Sequence, residues 1–279
     1  MVRDYGYQSR REGDWRLLVL ADEWTSELWS GVSPYLQTAS LEIARRPETQ
    51  RIKEGVGQVG QEFFLKIYYP NQFLESLKDL FRRSKAFRAL GQGRDLERNG
   101  FEVPVTVAAG EKRRFRFIKL AFLLTHAVEG VALPVFLQKH STLSQDGDGL
   151  IAKRAALRGL ALEVRRMHQL GFVHGDLIPS NILIQSQPSG IKIFSIDHDR
   201  TRRYPRWFPQ GFWKRNLVQL NRFDLPGISV RDRVRFLRDY LGCRYLDRRG
   251  RRFARWLERK TKARRRRIQL NKNAMEARG

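Results

Sequence analysis

Between Phe172 and Asp199 a polar loop runs straight into two short apolar segments, and few folds accommodate that order. The loop reads His174-Gly175-Asp176-Leu177-Ile178-Pro179-Ser180-Asn181. The segments are Ile182-Leu183-Ile184 and Ile191-Lys192-Ile193-Phe194, with Gln185 to Gly190 as a polar turn around Pro188. Branched apolar runs of this length on either side of a Pro-Ser-Gly turn are predicted to pair as a hairpin. Asn181 then immediately precedes the first strand and Asp197 closes the second, so both emerge at the same end. A hard cation such as Mg2+ uses few carboxylate or amide oxygens and completes its shell with water and substrate phosphates, so an Asn and Asp pair is chemically sufficient to hold one. Asp176, on the loop feeding the hairpin, could accept a proton from an attacking hydroxyl. Asn and Asp also cap strands and turns for structural reasons alone. It is the joint spacing, behind an amphipathic helix and ahead of a hairpin, that points to chemistry.

Composition narrows the alternatives. With 279 residues, 41% of them hydrophobic, 17 Phe and 6 Trp, the chain can build cores for one or two domains and is not a disordered sequence. Its 54 Lys and Arg against 29 Asp and Glu give a net charge of +25. Such a surface attracts nucleic acid, anionic lipid or a phosphorylated substrate through the same long-range field, so it names a class of partner rather than a chemistry. No helix-turn-helix, zinc-finger or RNA-recognition pattern accompanies it, and no specific nucleic-acid binding is expected. The longest apolar stretch, Phe117 to Leu137, is interrupted by Lys119, His126 and Glu129, so no membrane-spanning helix is expected. Asp14 precedes any apolar run and Leu17 to Ala21 is too short for a secretory core, which makes a cytoplasmic location the expectation. The single cysteine, Cys243, excludes an internal disulfide and a multi-cysteine zinc site.

Periodicity divides the chain into a β-rich front and a helix-rich back, with a cleft expected between two lobes. Phe63 to Tyr69 reads as a strand with Lys66 at its centre, Arg113 to Leu124 as a second extended run, and Phe73 to Leu96 between them as helical. Leu157, Leu160, Ala161, Val164, Met167 and His168 fall on one face of a long helix that Gly171 stops. Val230 to Leu241 and Arg251 to Arg267 also read as helices. Residues 231–279 hold 19 Lys and Arg against 5 acidic residues, and their end is predicted to be a basic, disordered tail.

The loop and hairpin resemble the protein-kinase-like superfamily, whose catalytic loop H-x-D-x-x-x-x-N is followed on the next strand by a metal-binding Asp. Asp176 and Asn181 match that spacing residue for residue. The resemblance implies an α+β, bilobal protein-kinase-like fold. Its β-rich, ATP-covering N-lobe would span residues 1–128, its short, mainly helical C-lobe 129–262, and the tail 263–279. It implies Asp176 as the catalytic residue, Asn181 and Asp197 as Mg2+ ligands, and Lys66 as the contact to the α- and β-phosphates of ATP, with a gatekeeping lysine on an edge strand as the structural alternative. Ala121 to Gly130 resembles the strand-to-linker passage whose backbone meets adenine, with Ala127 at the contact, or else an ordinary buried strand leaving the core. His174 is expected to pack beneath the metal loop rather than touch substrate. Glu75, Asp79 and Glu97 offer no clear acidic partner for Lys66. Gly55-Val56-Gly57-Gln58-Val59-Gly60 matches a phosphate-covering loop by its letters. It stands too close to Lys66 for an intervening strand, turn and strand, so a hairpin turn is the better reading.

Departures from protein kinases narrow the resemblance. Ile178 stands where Ser/Thr protein kinases carry a lysine, Gly175 replaces the arginine that reads an activation-loop phosphate, and His198-Asp199 replace Phe-Gly after Asp197. Over residues 60 to 245 the sequence is similar to the lipopolysaccharide kinase (Kdo/WaaP) family. The matching motifs are His174 to Leu183, Ile196 to Arg200, Asn216-Leu217-Val218-Gln219-Leu220-Asn221-Arg222 and Arg233 to Tyr240. That resemblance implies phosphoryl transfer from ATP, with Mg2+, to a hydroxyl of the lipopolysaccharide inner core, on Kdo or heptose. The partner is then an anionic glycolipid, lipid A bearing Kdo, met by a monomer in peripheral contact with the inner membrane. Tyr204 to Arg215 interleaves aromatic rings with cations, either to stack on sugar and meet an interface or to cover the short lower lobe. The alternatives are a small-molecule phosphotransferase of the aminoglycoside or choline kinase type, an atypical protein kinase, a metal phosphohydrolase ligated by His174, Asp176, Asp197 and His198, and a non-enzymatic polyanion binder.

Overall fold

A computed structural model describes residues 6–41, 48–52, 61–69, 83–141, 147–205, 207, 211–225 and 227–276. The chain divides into two compact units, Met1–Glu129 and Gly130–Gly279.

Six strands form the sheet of the first unit: β1 (Tyr7–Glu12), β2 (Trp15–Leu20), β3 (Glu48–Ile52), β4 (Phe63–Tyr68), β5 (Thr106–Arg114) and β6 (Phe117–His126). Their order is β1-β2-β5-β6-β4-β3, with antiparallel neighbours throughout. The two-residue period of a strand sends alternate side chains to opposite faces. On β4 that period puts Phe63, Leu65 and Ile67 in one core with Leu28, Val32 and Leu36 of helix α1 (Ser26–Leu41). Tyr68 joins Ala86, Phe87 and Leu90 of helix α2 (Lys85–Arg98) in another core. Each face of the sheet is thereby covered by one helix. Ser84 starts α2 by accepting the Phe87 N–H at 3.2 Å. The earlier part of the helix predicted from Phe73 and the glycines at 55, 57 and 60 lie outside the described residues.

The second unit is mainly helical: α3 (Leu133–Lys139), α4 (Gly147–Gln169), α5 (Gly211–Leu220), α6 (Val230–Leu241) and α7 (Arg248–Glu276). Short strands accompany them: β7 (Val131–Ala132), β8 (Phe172–Val173), β9 (Ile182–Gln187), β10 (Gly190–Ser195) and β11 (Arg202–Arg203). The apolar stripe of α4 buries Ala156, Leu160 and Val164 against Leu133, Leu137, Leu177, Ile182, Ile184 and Leu217. Lys153 interrupts that stripe and is only 1% exposed. Its ammonium donates to Asp232 at 3.0 Å and to the Gly227 carbonyl at 2.7 Å, pinning α4 to the first turn of α6.

Helix α7 corrects one expectation. Through Glu276 it occupies the stretch predicted to be a disordered tail. The charge run hides an amphipathic pattern: Phe253, Leu257, Thr261 and Arg265 recur at helical spacing and are buried or half-buried, while Arg252, Arg255, Arg259 and Arg266 face solvent. No helix among the described residues is long and apolar enough to cross a membrane.

Candidate active site

Helix α4 delivers the chain to the site. It ends at Gly171, whose φ of +86° only glycine adopts readily and where a Cβ would collide with the Tyr204 carbonyl oxygen. Two residues of β8 pair with β11, and the loop His174 to Asn181 follows. Gly175 also has positive φ, +78°, and a Cβ there would strike the Arg200 carbonyl oxygen, so the loop lies directly on the segment after β10.

Strands β9 and β10 form the hairpin in the register Ile182↔Ser195 to Gln187↔Gly190. The ladder is extended by one bond, Ile196 N–H to the Asn181 carbonyl at 3.0 Å, which brings Asn181 and Asp197 to the same end. Asn181 gives its side-chain N–H to the Asp176 carbonyl at 3.0 Å, so its side-chain oxygen is not spent on that bond. Asp197 adopts the left-handed conformation, φ 69° and ψ 60°, which is uncommon for a residue with a Cβ and persists where its surroundings over-determine it.

Those surroundings are a buried polar network. His174 is fully buried; its Nε2–H donates to the Ile196 carbonyl at 3.0 Å. The His198 Nε2–H donates to the Ser195 carbonyl at 2.9 Å, and its Nδ1 lies 3.1 Å from the Thr201 hydroxyl. Thr201 in turn donates to the His174 carbonyl at 3.1 Å, and the two imidazoles lie 4.9 Å apart. Burial pulls the His174 pKa below its ordinary value, against the opposing charge of Asp197. By spending Nε2–H on strand carbonyls, His174 and His198 stitch the catalytic loop to the metal strand, which speaks against the two as metal ligands. Among the described residues no cluster of three or more His, Cys, Asp or Glu is arranged to hold a metal.

The face of α5 and the turn after it supply partners that sequence reasoning missed. Asn216, 1% exposed, accepts the His174 N–H at 3.1 Å and the His168 Nε2–H at 3.2 Å. Its amide donates to Gln219 at 2.9 Å, and Gln219 donates to the Gly175 carbonyl at 2.8 Å. The His168 Nδ1 accepts the Tyr240 hydroxyl at 2.9 Å. Burial holds His168 down to about 4, so it stays neutral and keeps this tautomer. The Arg222 guanidinium stands 3.9 Å from the Asp176 carboxylate. The signal available in sequence was the i, i+3, i+6 spacing of Asn216, Gln219 and Arg222, but nothing local says which loop that face meets.

Asp176, Asn181 and Asp197 are therefore together in the second unit. Lys66 and Ala127 belong to the first. Lys66 lies mid-β4, opposite Thr49 and Leu123, with its ammonium 5.1 Å from the Tyr68 ring centroid. Ala127 follows β6 and gives its N–H to the Glu62 carbonyl at 2.8 Å. In the 204–215 segment Tyr204 stacks on Phe212 at 5.1 Å, Trp213 lies beside His168, and Trp207 is 81% exposed.

Comparison with known proteins bears on the fold and the family. Two curated relatives, the 3-deoxy-D-manno-octulosonic acid kinases of Vibrio vulnificus strains CMCP6 and YJ016, are each 30% identical over 129 residues, 46% of this chain and 48% of theirs. The chain thus spans about half the length of the curated relatives it matches. The solved structure of WaaP in complex with acyl carrier protein is 24% identical, covers 85% of this chain and 95% of its own, and superposes with a TM-score of 0.58. The fold is accordingly the protein-kinase-like fold of WaaP. The model of the lipopolysaccharide kinase (Kdo/WaaP) family matches residues 37–240, which include the loop, the hairpin and the α5 face just described. On that match the chain belongs to the lipopolysaccharide kinase (Kdo/WaaP) family.

Proposed function

We propose that this chain is an ATP-dependent kinase that phosphorylates a hydroxyl of the lipopolysaccharide inner core, on Kdo or heptose. The observation that carries the reading is the convergence of Asn181 and Asp197 at one end of the β9–β10 hairpin, tied to Asp176 by the Asn181 side chain. The acceptor oxygen attacks the γ-phosphorus of ATP, and its proton passes to the Asp176 carboxylate. The bond from phosphorus to the β,γ-bridging oxygen breaks, and ADP leaves.

The donor set fits Mg2+. With its N–H committed to the Asp176 carbonyl, Asn181 offers an amide oxygen at the same end of the hairpin as Asp197, and the two are the residues that would hold the ion. When bound, the ion supplies neutralisation of charge on the phosphates. Lys66 serves the α- and β-phosphates as a point charge. The Ala127 carbonyl, rather than its N–H, is left for the adenine. An anionic glycolipid suits the net charge of +25, and the solvent face of α7 suits peripheral contact with an anionic inner membrane.

Two substitutions separate the roles. Asp197→Ala is expected to abolish transfer and weaken Mg2+-dependent nucleotide binding. Asp176→Ala is expected to slow turnover by about 100-fold or more with nucleotide binding retained. Equal loss of nucleotide binding in both variants would contradict this division.

A further inference from the structure

The loop from His174 to Asn181 contains no Lys or Arg, although a triphosphate must approach Asp176 for transfer to occur. Two negative charges brought together in a partly desolvated site repel, and a fixed cation placed between them removes that cost. The structure supplies one from another element. Three residues at helical spacing meet three consecutive loop residues: Asn216 meets His174, Gln219 meets Gly175, and Arg222 meets Asp176. At 3.9 Å the Arg222–Asp176 contact is an ion pair too long for a hydrogen bond. The Arg222 Nε–H is buried and has no hydrogen-bond partner among the described residues. The guanidinium is packed on the Phe223 ring, 4.5 Å from its centroid, so it is held in place while its donors remain uncommitted.

A clamp from the C-terminal helix fixes the turn that carries it. Arg265 donates to the carbonyls of Asn221 at 3.1 Å and Phe223 at 2.8 Å, and to the Asp224 carboxylate at 2.9 Å. Arg233 donates to the same carboxylate at 2.9 Å. One member of the basic run Arg264 to Arg267 thus faces inward and braces the turn after α5.

Resting on the kinase reading above, we propose that Arg222 contacts the γ-phosphate of the donor nucleotide at Asp176, and that Arg265 is the positioning residue that holds it there. Its planar fork can give two parallel hydrogen bonds to phosphate oxygens, which a lysine cannot.

The test compares binding of Mg2+·ADP with binding of Mg2+ and the non-hydrolysable ATP analogue AMP-PNP, on the full chain, by calorimetry. Arg222→Ala is expected to weaken AMP-PNP about tenfold or more and to leave ADP unchanged, since the charge-assisted hydrogen bonds to the γ-phosphate are lost. Arg222→Lys should fall between the two, and added guanidinium ion should restore part of the AMP-PNP affinity of Arg222→Ala. Arg265→Ala should shift AMP-PNP in the same direction by less. Equal affinities of wild type and Arg222→Ala for AMP-PNP would overturn the proposal and leave the kinase reading standing. So would parallel loss of both nucleotides with a lowered Tm, which would mark Arg222 as structural. Failure of the wild-type chain to bind either nucleotide would overturn the kinase reading and the proposal with it.

Discussion

Replacing Asn216 with alanine tests how the catalytic loop is held. The side chain is 1% exposed, and its Oδ1 accepts two donors that reach no solvent, the His174 N–H and the His168 Nε2–H. Alanine leaves both without a partner. Each orphaned buried donor costs about 1–3 kcal/mol, so the substitution should destabilise the second unit by about 2–6 kcal/mol. That is a large part of the roughly 5–15 kcal/mol that holds a typical domain together. Urea unfolding followed by tryptophan fluorescence gives the total, and exchange of the His174 amide hydrogen gives the local effect. His168→Phe, which keeps the ring volume but removes the Nε2–H, should cost less in the Asn216→Ala background than in wild type. A double-mutant cycle should then give a coupling of about 1–2 kcal/mol. A loss below about 1 kcal/mol, with His174 exchange unchanged, would refute the reasoning.

Other outcomes follow from the same geometry. His168 is held near 4 in the folded chain against 6.5 in the open chain, so the unfolded state takes up a proton first as pH falls. The stability this neutral histidine contributes is complete above pH 6.5 and lost as pH falls through about 4, a change of about 3 kcal/mol. His174 is shifted in the same direction and adds to the loss. A Tm that stays flat from pH 7 to pH 4.5 would contradict this, whereas His168→Phe should flatten the profile. Lys153→Met should cost about 1.5–3 kcal/mol, because it removes a charge-assisted hydrogen bond from a carboxylate that is 4% exposed and leaves it to Ser229 and Arg235; the double variant Lys153→Met with Asp232→Asn should recover part of that in urea unfolding.

What the sequence disclosed was what is local. The loop, the hairpin and the helix before them are specified within a few residues, by turn chemistry and by periods of 2 and 3.6, and so were Phe63–Tyr68 and Val230–Leu241. Strand β1 carries no strand signal because Tyr-Gln-Ser-Arg-Arg-Glu is polar on both faces, and α1 carries a weak helical signal because Gly31 and Pro34 break its pattern. The end of α7 reads as a disordered tail because its charge density masks a buried stripe. Its Arg265 points inward because the turn at Asn221 and Phe223 offers carbonyls, 44 and 42 residues distant in sequence. For the same reason Asn216 and Arg222 were visible as a motif but not as partners of His174 and Asp176: only tertiary structure says which loop a helix face meets.

The most direct measurement is Mg2+-dependent transfer of the γ-phosphate from ATP to a Kdo-bearing lipid A precursor, with Asp176→Ala assayed in parallel. Labelled glycolipid from the wild-type chain, falling by about 100-fold or more in the variant, is the predicted result. No transfer by the wild type in the presence of Mg2+·ATP, or transfer undiminished by Asp176→Ala, would contradict the account.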